Sequence, residues 1–467
     1  MRAILFVPLM LLSWAAAHAS PVLEAAQAAN EQAALALLRD GQSATAVAPD
    51  GTTALHWAAH HGSHALAAAL IEAGADVNAR TPYGVTPMSE AAARGDAALI
   101  AMLLDAGADV ESANADGQTA LMSVARGAHL EAAKVLLKRG ANVNAVEQWR
   151  GQNALMWAAA QSQPEMVELL LKNGASPDAR SAVNENARQI TAEPRAMYRP
   201  AGGLTPLIFA ARAGCIECAR ALIKGGATVD LEDPEGVTPL LVALDNLHFD
   251  LAAFLLSAGA DPNKWDWRGR SPLYLAIDMN TLPHGGRPDR PSFDRLTGLD
   301  VARLLLKAGA NPNLRLKLHP GYREVKDDRG ADRMLTIGTT PLLRAAKAFD
   351  VDAIQLLLEH GADTELANVN GITPLMAAAG LASRIGDTRG VYDSPDVEQR
   401  SLAAVRLLLA AGANVNARAR DGRTAATGAA TWGWKEVSAA LAAAGAEAPA
   451  KAADGTTRGS RTELAQQ

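Results

Sequence analysis

Apolar residues along this chain come in short paired runs separated by polar turns. Residues 235–267 show the unit most clearly. Gly236-Val-Thr238-Pro239-Leu240 opens an apolar run to Leu244, and a turn through His248 leads to a second run from Leu251 to Leu256 and then to Gly259-Ala260-Asp261. The pattern predicts two short helices and a hairpin tip. Thr238 can accept a hydrogen bond from the first free amides of a helix, and Pro239 suits the first helical position, where its missing N–H costs nothing. Gly259 supplies the left-handed residue that ends the second helix. Helices this short are marginal alone, so the unit must bury its apolar faces on copies of itself.

Those copies are present. Tip glycines recur at Gly51, Gly84, Gly117, Gly151, Gly203, Gly236, Gly269, Gly338, Gly371 and Gly422, with a basic spacing of 33 residues. Two residues after each stands a capping residue: Thr in eight units, Asn153 in the fourth and Ser271 in the seventh. The fold class expected is an all-α repeat solenoid of about ten repeats, and residues 20–49, which lack the Gly-x-Thr-Pro start, read as an N-terminal capping repeat. With Thr53-Ala-Leu55-His56-Trp57-Ala58-Ala59 in its first unit, the array over residues 50–446 resembles the ankyrin repeat. That resemblance implies helix-turn-helix units with β-hairpin fingers, a protein partner, and an interaction module rather than an enzyme. It also implies that His56 ties its hairpin to the adjacent backbone.

Four insertions break the period, near residues 179–202, 279–299, 314–337 and 381–402. The first and third lengthen fingers, and the other two lengthen the turn between a unit's helices. The two long fingers follow units that open alike, with Trp149-Arg150-Gly151 and Trp267-Arg268-Gly269, and both fingers are net basic. In ankyrin-type stacks the residue six after the tip glycine faces the concave groove. By that resemblance Trp157, Phe209, Val242 and Leu275 form an apolar floor, with Trp149 and Trp267 as walls. Arg195, Tyr198, Arg199 and Tyr322 on the fingers complete the expected partner-binding set, the arginines selecting an acidic partner. Two other readings stay open at this stage: the fingers are solvated loops, or they fold back and cover the stripe as extra core.

Composition narrows the classes. The net charge of −6 becomes −7 without the first nineteen residues, which leaves no electrostatic footprint for nucleic acid or an anionic membrane. Arg2, the apolar run 3–17 and Ala17-His18-Ala19 read as a signal peptide, and no later run is apolar enough to span a membrane, so a secreted, periplasmic monomer is expected. Residues 447–467 read as a disordered tail. Cys215 and Cys218 form the only cysteine pair, open to a small disulfide, structural thiols or redox chemistry. No nucleophile elbow, phosphate loop, dinucleotide fingerprint or closed zinc set is present, so neither cofactor nor metal is expected. An enzyme or small-ligand binder built on the insertions, and a protective partner of one periplasmic protein, are the alternatives to a scaffold.

Overall fold

The computed structural model describes residues 20–183, 202–281, 292–318, 334–383 and 394–448. The expected signal peptide, most of the tail and the middle of each insertion lie outside the described residues. Those that are described form twenty-two helices and no strand. In the unit at 235–267 the helices are Pro239–Asp245 and Phe249–Ser257. Thr238 Oγ1 accepts from Leu241 N–H at 3.3 Å, and Asn153 and Ser271 cap their helices in the same way. At the other end, Ala260 N–H reaches back to Leu255 O at 3.0 Å and Gly259 N–H to Leu256 O at 3.1 Å, satisfying the last free carbonyls.

Packing divides the chain into two compact units. The first runs to residue 158 and adds 172–175; the second takes 159–171 and everything from 176 on. In the first unit the helices Ala54–His61, Pro87–Arg94 and Ala120–Arg126 pack in succession. In the second the row is Pro206–Ala213, Pro239–Asp245, Pro272–Asn280, Pro341–Lys347, Pro374–Ala378 and Ala425–Trp432, each on the next. Within each unit the buried faces are Ala, Leu, Val, Ile and Met.

The fingers are tight turns instead of ladders. Gly236 N–H bonds Asp233 O at 3.0 Å and Asp233 N–H bonds Val237 O at 3.1 Å, and the pattern repeats at other tips. Successive tips are also joined: Ala115 N–H donates to Tyr83 O at 3.0 Å in the first unit, and Trp267 N–H to Glu235 O at 2.9 Å in the second. In the first unit this approach leaves no space for a side chain at the Gly84 tip. A Cβ on Gly84, whose φ is +73°, would stand 2.6 Å from Ala115 N.

A second ladder runs four residues after the glycine that ends each unit's second helix. Asn78 donates through Nδ2 to Gly107 O at 3.0 Å and accepts from Asp109 N–H at 2.8 Å, and Asn263 and Asn313 repeat both bonds in the second unit. Asp230 occupies this place with no amide to donate. Its Oδ2 accepts from Asp261 N–H at 2.9 Å, while Oδ1 is buried without a hydrogen-bond partner. Burial, with the charges of Asp261 and Glu232 beside it, pushes the carboxyl above its ordinary 3.8 despite the Asp261 amide and Lys264. A raised carboxyl contributes stability at low pH that is lost as pH rises through its folded pKa. Asp230→Asn restores the missing donor and is expected to raise stability at pH 7 by about 1 kcal/mol. The denaturant midpoint of the full chain measures this, and an unchanged midpoint would mean that Oδ1 is already satisfied by solvent.

Candidate partner-binding surface

The row six after each tip glycine behaves differently in the two units. In the first unit Trp57, Glu90, Ser123 and Trp157 are half-exposed. Trp157 is held by an Nε1–H bond to Gln152 Oε1 at 2.9 Å and by the Arg126 guanidinium 5.3 Å above its ring. In the second unit the row closes: Phe209 is 7% exposed, Val242 8% and Leu275 0%. Leu275 therefore offers no groove floor to a partner, and Phe209 and Val242 offer only an edge, which corrects the expectation from sequence. Beside Leu275 the closure comes from the next repeat. Arg344, at the same place in its unit, is fully buried and turns to the Asp278 carboxylate on the Leu275 helix. It also donates to Asp278 O at 3.3 Å and Thr281 O at 3.4 Å. Leu316, Met334 and Leu335, at the two bases of the second long finger, are buried as well.

The exposed aromatic surface lies at the fingertips. In the first unit Trp149 is 76% exposed on a tip organised by buried Glu147, whose carboxylate accepts from the N–H groups of Trp149, Arg150 and Gln152 at 2.6–3.0 Å. In the second unit Trp265 and Trp267 flank a cleft of about 510 Å³, lined also by Glu232, Pro234, Glu235 and Lys264. Trp267 is half-buried and Trp265 is 43% exposed. Between them Asp266 is buried, accepting from Arg268 N–H at 3.0 Å, Arg270 N–H at 2.9 Å and Arg270 Nε at 2.7 Å. This inward carboxylate fixes the tip and turns both indoles to its outer side. The rings carry cations: Lys317 Nζ lies 3.1 Å from the Trp265 ring centre and the Arg268 guanidinium 4.5 Å from that of Trp267.

Behind the indoles the carboxylates crowd. Burial, joined by the charges of Asp233 and Asp266, pushes Glu235 above the ordinary glutamate range, while Arg268 and a hydrogen bond from Trp267 pull it down. Asp233 is raised by burial and by Asp266, against the amides of Val237 and Glu235. Trp265 is absent from the sequence-derived set. Its signal was the alternation Trp265-Asp266-Trp267, which places two aromatics on one side of an extended tip and an acid on the other.

Arg195, Tyr198, Arg199 and Tyr322 lie outside the described residues. Cys215 and Cys218 are joined in a disulfide at the start of the Ile216–Lys224 helix, with Cys218 fully buried, so the pair is bonded and not two free thiols. No three acidic, histidine or cysteine groups converge to hold a metal ion among the described residues, and no described helix is long and apolar enough to cross a membrane.

Models of ankyrin repeats match residues 22–114, 88–181 and 183–266 as multi-repeat segments, and residues 268–317, 337–369 and 370–420 as single repeats. The chain belongs to the ankyrin-repeat family. Comparison with curated proteins found no match. Among solved structures, the human ASB11 ankyrin repeat domain is similar at 27% identity, over 52% of this chain and 99% of that one, with a TM-score of 0.43. Ankyrin repeats serve generally as protein–protein interaction scaffolds. In this ankyrin chain the repeat histidine keeps its structural role. His56 Nδ1 accepts from Thr53 N–H at 3.2 Å, and Nε2–H donates to Val85 O of the next finger at 3.1 Å. Burial holds its pKa below the ordinary 6.5, against the bond to Val85 and the charge of Glu90. Its neighbours His60 and His64 pair with Glu90 at 2.9 Å and Asp96 at 2.7 Å.

Proposed function

We propose that this ankyrin-repeat chain is a non-catalytic protein-binding scaffold that engages its partner through the fingertip cleft of the second unit, around Trp265 and Trp267. The observation that carries this reading is the contrast within that unit: the groove row is buried, whereas two indoles stand at an open cleft backed by a fixed carboxylate. Large aromatic side chains dominate binding energy at interfaces when a partner desolvates them. The apolar segment 3–17 and the Cys215–Cys218 disulfide support a place in an oxidising compartment of the cell envelope.

Tagged full-length protein from its native envelope fraction, compared with the Trp265→Ala, Trp267→Ala variant, tests the reading. The helical circular-dichroism signal should be unchanged, while affinity for the co-purified protein falls about thirtyfold or more, the effect of losing one strong aromatic anchor. A protein partner retained equally by both forms would overturn the placement at the cleft. A small molecule, rather than a protein, lost with the variant would overturn the scaffold reading itself.

A further inference from the structure

We propose that the fingertip cleft receives a basic side chain, arginine or lysine, from an extended segment of the partner protein; this rests on the scaffold reading above and names the chemistry of its partner. The lining residues carry three acids, Glu232, Glu235 and Asp261, against one cation, Lys264. Lys264 is already committed, with Nζ 3.3 Å from Glu232 Oε2 and 3.2 Å from Asp230 O. Glu235 Oε1 is buried in the folded chain with no hydrogen-bond partner. An ionised carboxylate can only accept, so what it lacks is a donor, and a guanidinium or ammonium supplies several together with the opposite charge.

Two further observations favour an organic cation over a metal ion. The carboxylates around the cleft do not converge as a metal-holding group among the described residues. They stand beside indole rings that already accommodate Lys317 and Arg268 over their faces, so this tip has the flat, electron-rich surfaces against which a delocalised cation packs. At about 510 Å³ and open to solvent, the cleft admits a long side chain with its flanking backbone. Burial, with the charges of Asp233 and Asp266, raises Glu235 against the pull of Arg268, and a cationic guest adds to that opposing charge. The partner chemistry is thus the opposite of the acidic one expected from the arginines of the long fingers.

The test titrates the full chain by calorimetry with a synthetic Gly-Arg-Gly-Arg-Gly amide, the same peptide with citrulline for arginine, and the same with glutamate. The arginine peptide should bind at least about tenfold more tightly than the neutral isostere, and Glu235→Gln should remove most of that advantage while leaving circular dichroism unchanged. The advantage should also shrink between low salt and 0.5 M salt. Equal affinity for arginine and citrulline, tighter binding of the glutamate peptide, or an arginine preference that survives both Glu235→Gln and Glu232→Gln would overturn the proposal. The two readings fail separately. If the Trp265→Ala, Trp267→Ala variant loses the natural partner while arginine and citrulline peptides bind alike, the scaffold site stands and the basic partner falls.

Discussion

Asp278→Ala is expected to lower the stability of the second unit by about 3–5 kcal/mol, the cost of leaving a buried charge without its partner. Arg344 and Asp278 are both fully buried and joined through Arg344 Nε, while Arg344 Nη1 has no hydrogen-bond partner. Without the carboxylate, the guanidinium keeps only the carbonyls of residue 278 and Thr281, at 3.3 and 3.4 Å. These supply dipoles and no neutralising charge. Lys347, also fully buried and 2.6 Å from Ser383 Oγ, adds a second cation to the same helix. Because a stack of repeats can open in parts, the measurement is amide hydrogen exchange of the full chain, read in the helices Pro272–Asn280 and Pro341–Lys347. Replacing the pair together, Asp278→Leu with Arg344→Met, should recover most of the loss, since well-packed apolar residues substitute for a buried ion pair at little cost. A loss below about 1 kcal/mol for Asp278→Ala would mean that solvent reaches Arg344, and the closed row would then have to be explained by packing alone.

The contrast between this pair and the repeat period separates what could be read in the sequence from what could not. Thr238, Pro239 and Gly259 act on amides and carbonyls within a few residues, so their spacing specifies helix starts and stops without reference to the rest of the chain. The family and the helix pairs were therefore legible. Which face of a helix stays open is decided by distant residues. Arg344 meets Asp278 across 66 positions and two insertions, and nothing in the local pattern at Leu275 announces that its row has closed. The position-by-position resemblance that named Leu275 as groove floor assumed regular neighbours, and the insertions make the neighbours irregular. The fingertip cleft was half legible: Trp267 stood out through its match to Trp149, but Trp265 required following the alternation through Asp266. The cysteine pair was visible, while its bonded state depended on how the start of the Ile216–Lys224 helix places the two sulfurs.

Trp434→Ala is expected to cost about 3–5 kcal/mol, with the loss confined to the C-terminal end of the second unit. Trp434 is buried, stacked on Trp432 with ring centres 5.4 Å apart and met at its edge by Phe349 at 5.9 Å. The Trp432 indole donates to Gly380 O at 3.0 Å. Small residues let the indoles come this close: a Cβ on Gly380 would lie 2.7 Å from both rings, and one on Gly428 would lie 2.6 Å from Ala379 O and Leu381 N. The last repeat, which looks degenerate for its missing large apolar residue at Ala426, is thus anchored by indoles folded against the preceding turn. A terminal repeat has a stacking neighbour on one side only, so an anchor lost there is not shared along the array. Exchange should accelerate about a hundredfold or more in the helices Ala425–Trp432 and Lys435–Ala443 and stay unchanged in Pro206–Ala213. An equal loss throughout the second unit would contradict nearest-neighbour behaviour and show that its repeats unfold together. No change at the C-terminal end would show that Gly380 and Gly428, rather than the indoles, set the closeness of these helices, and a bulkier residue at either glycine would then be the disruptive change.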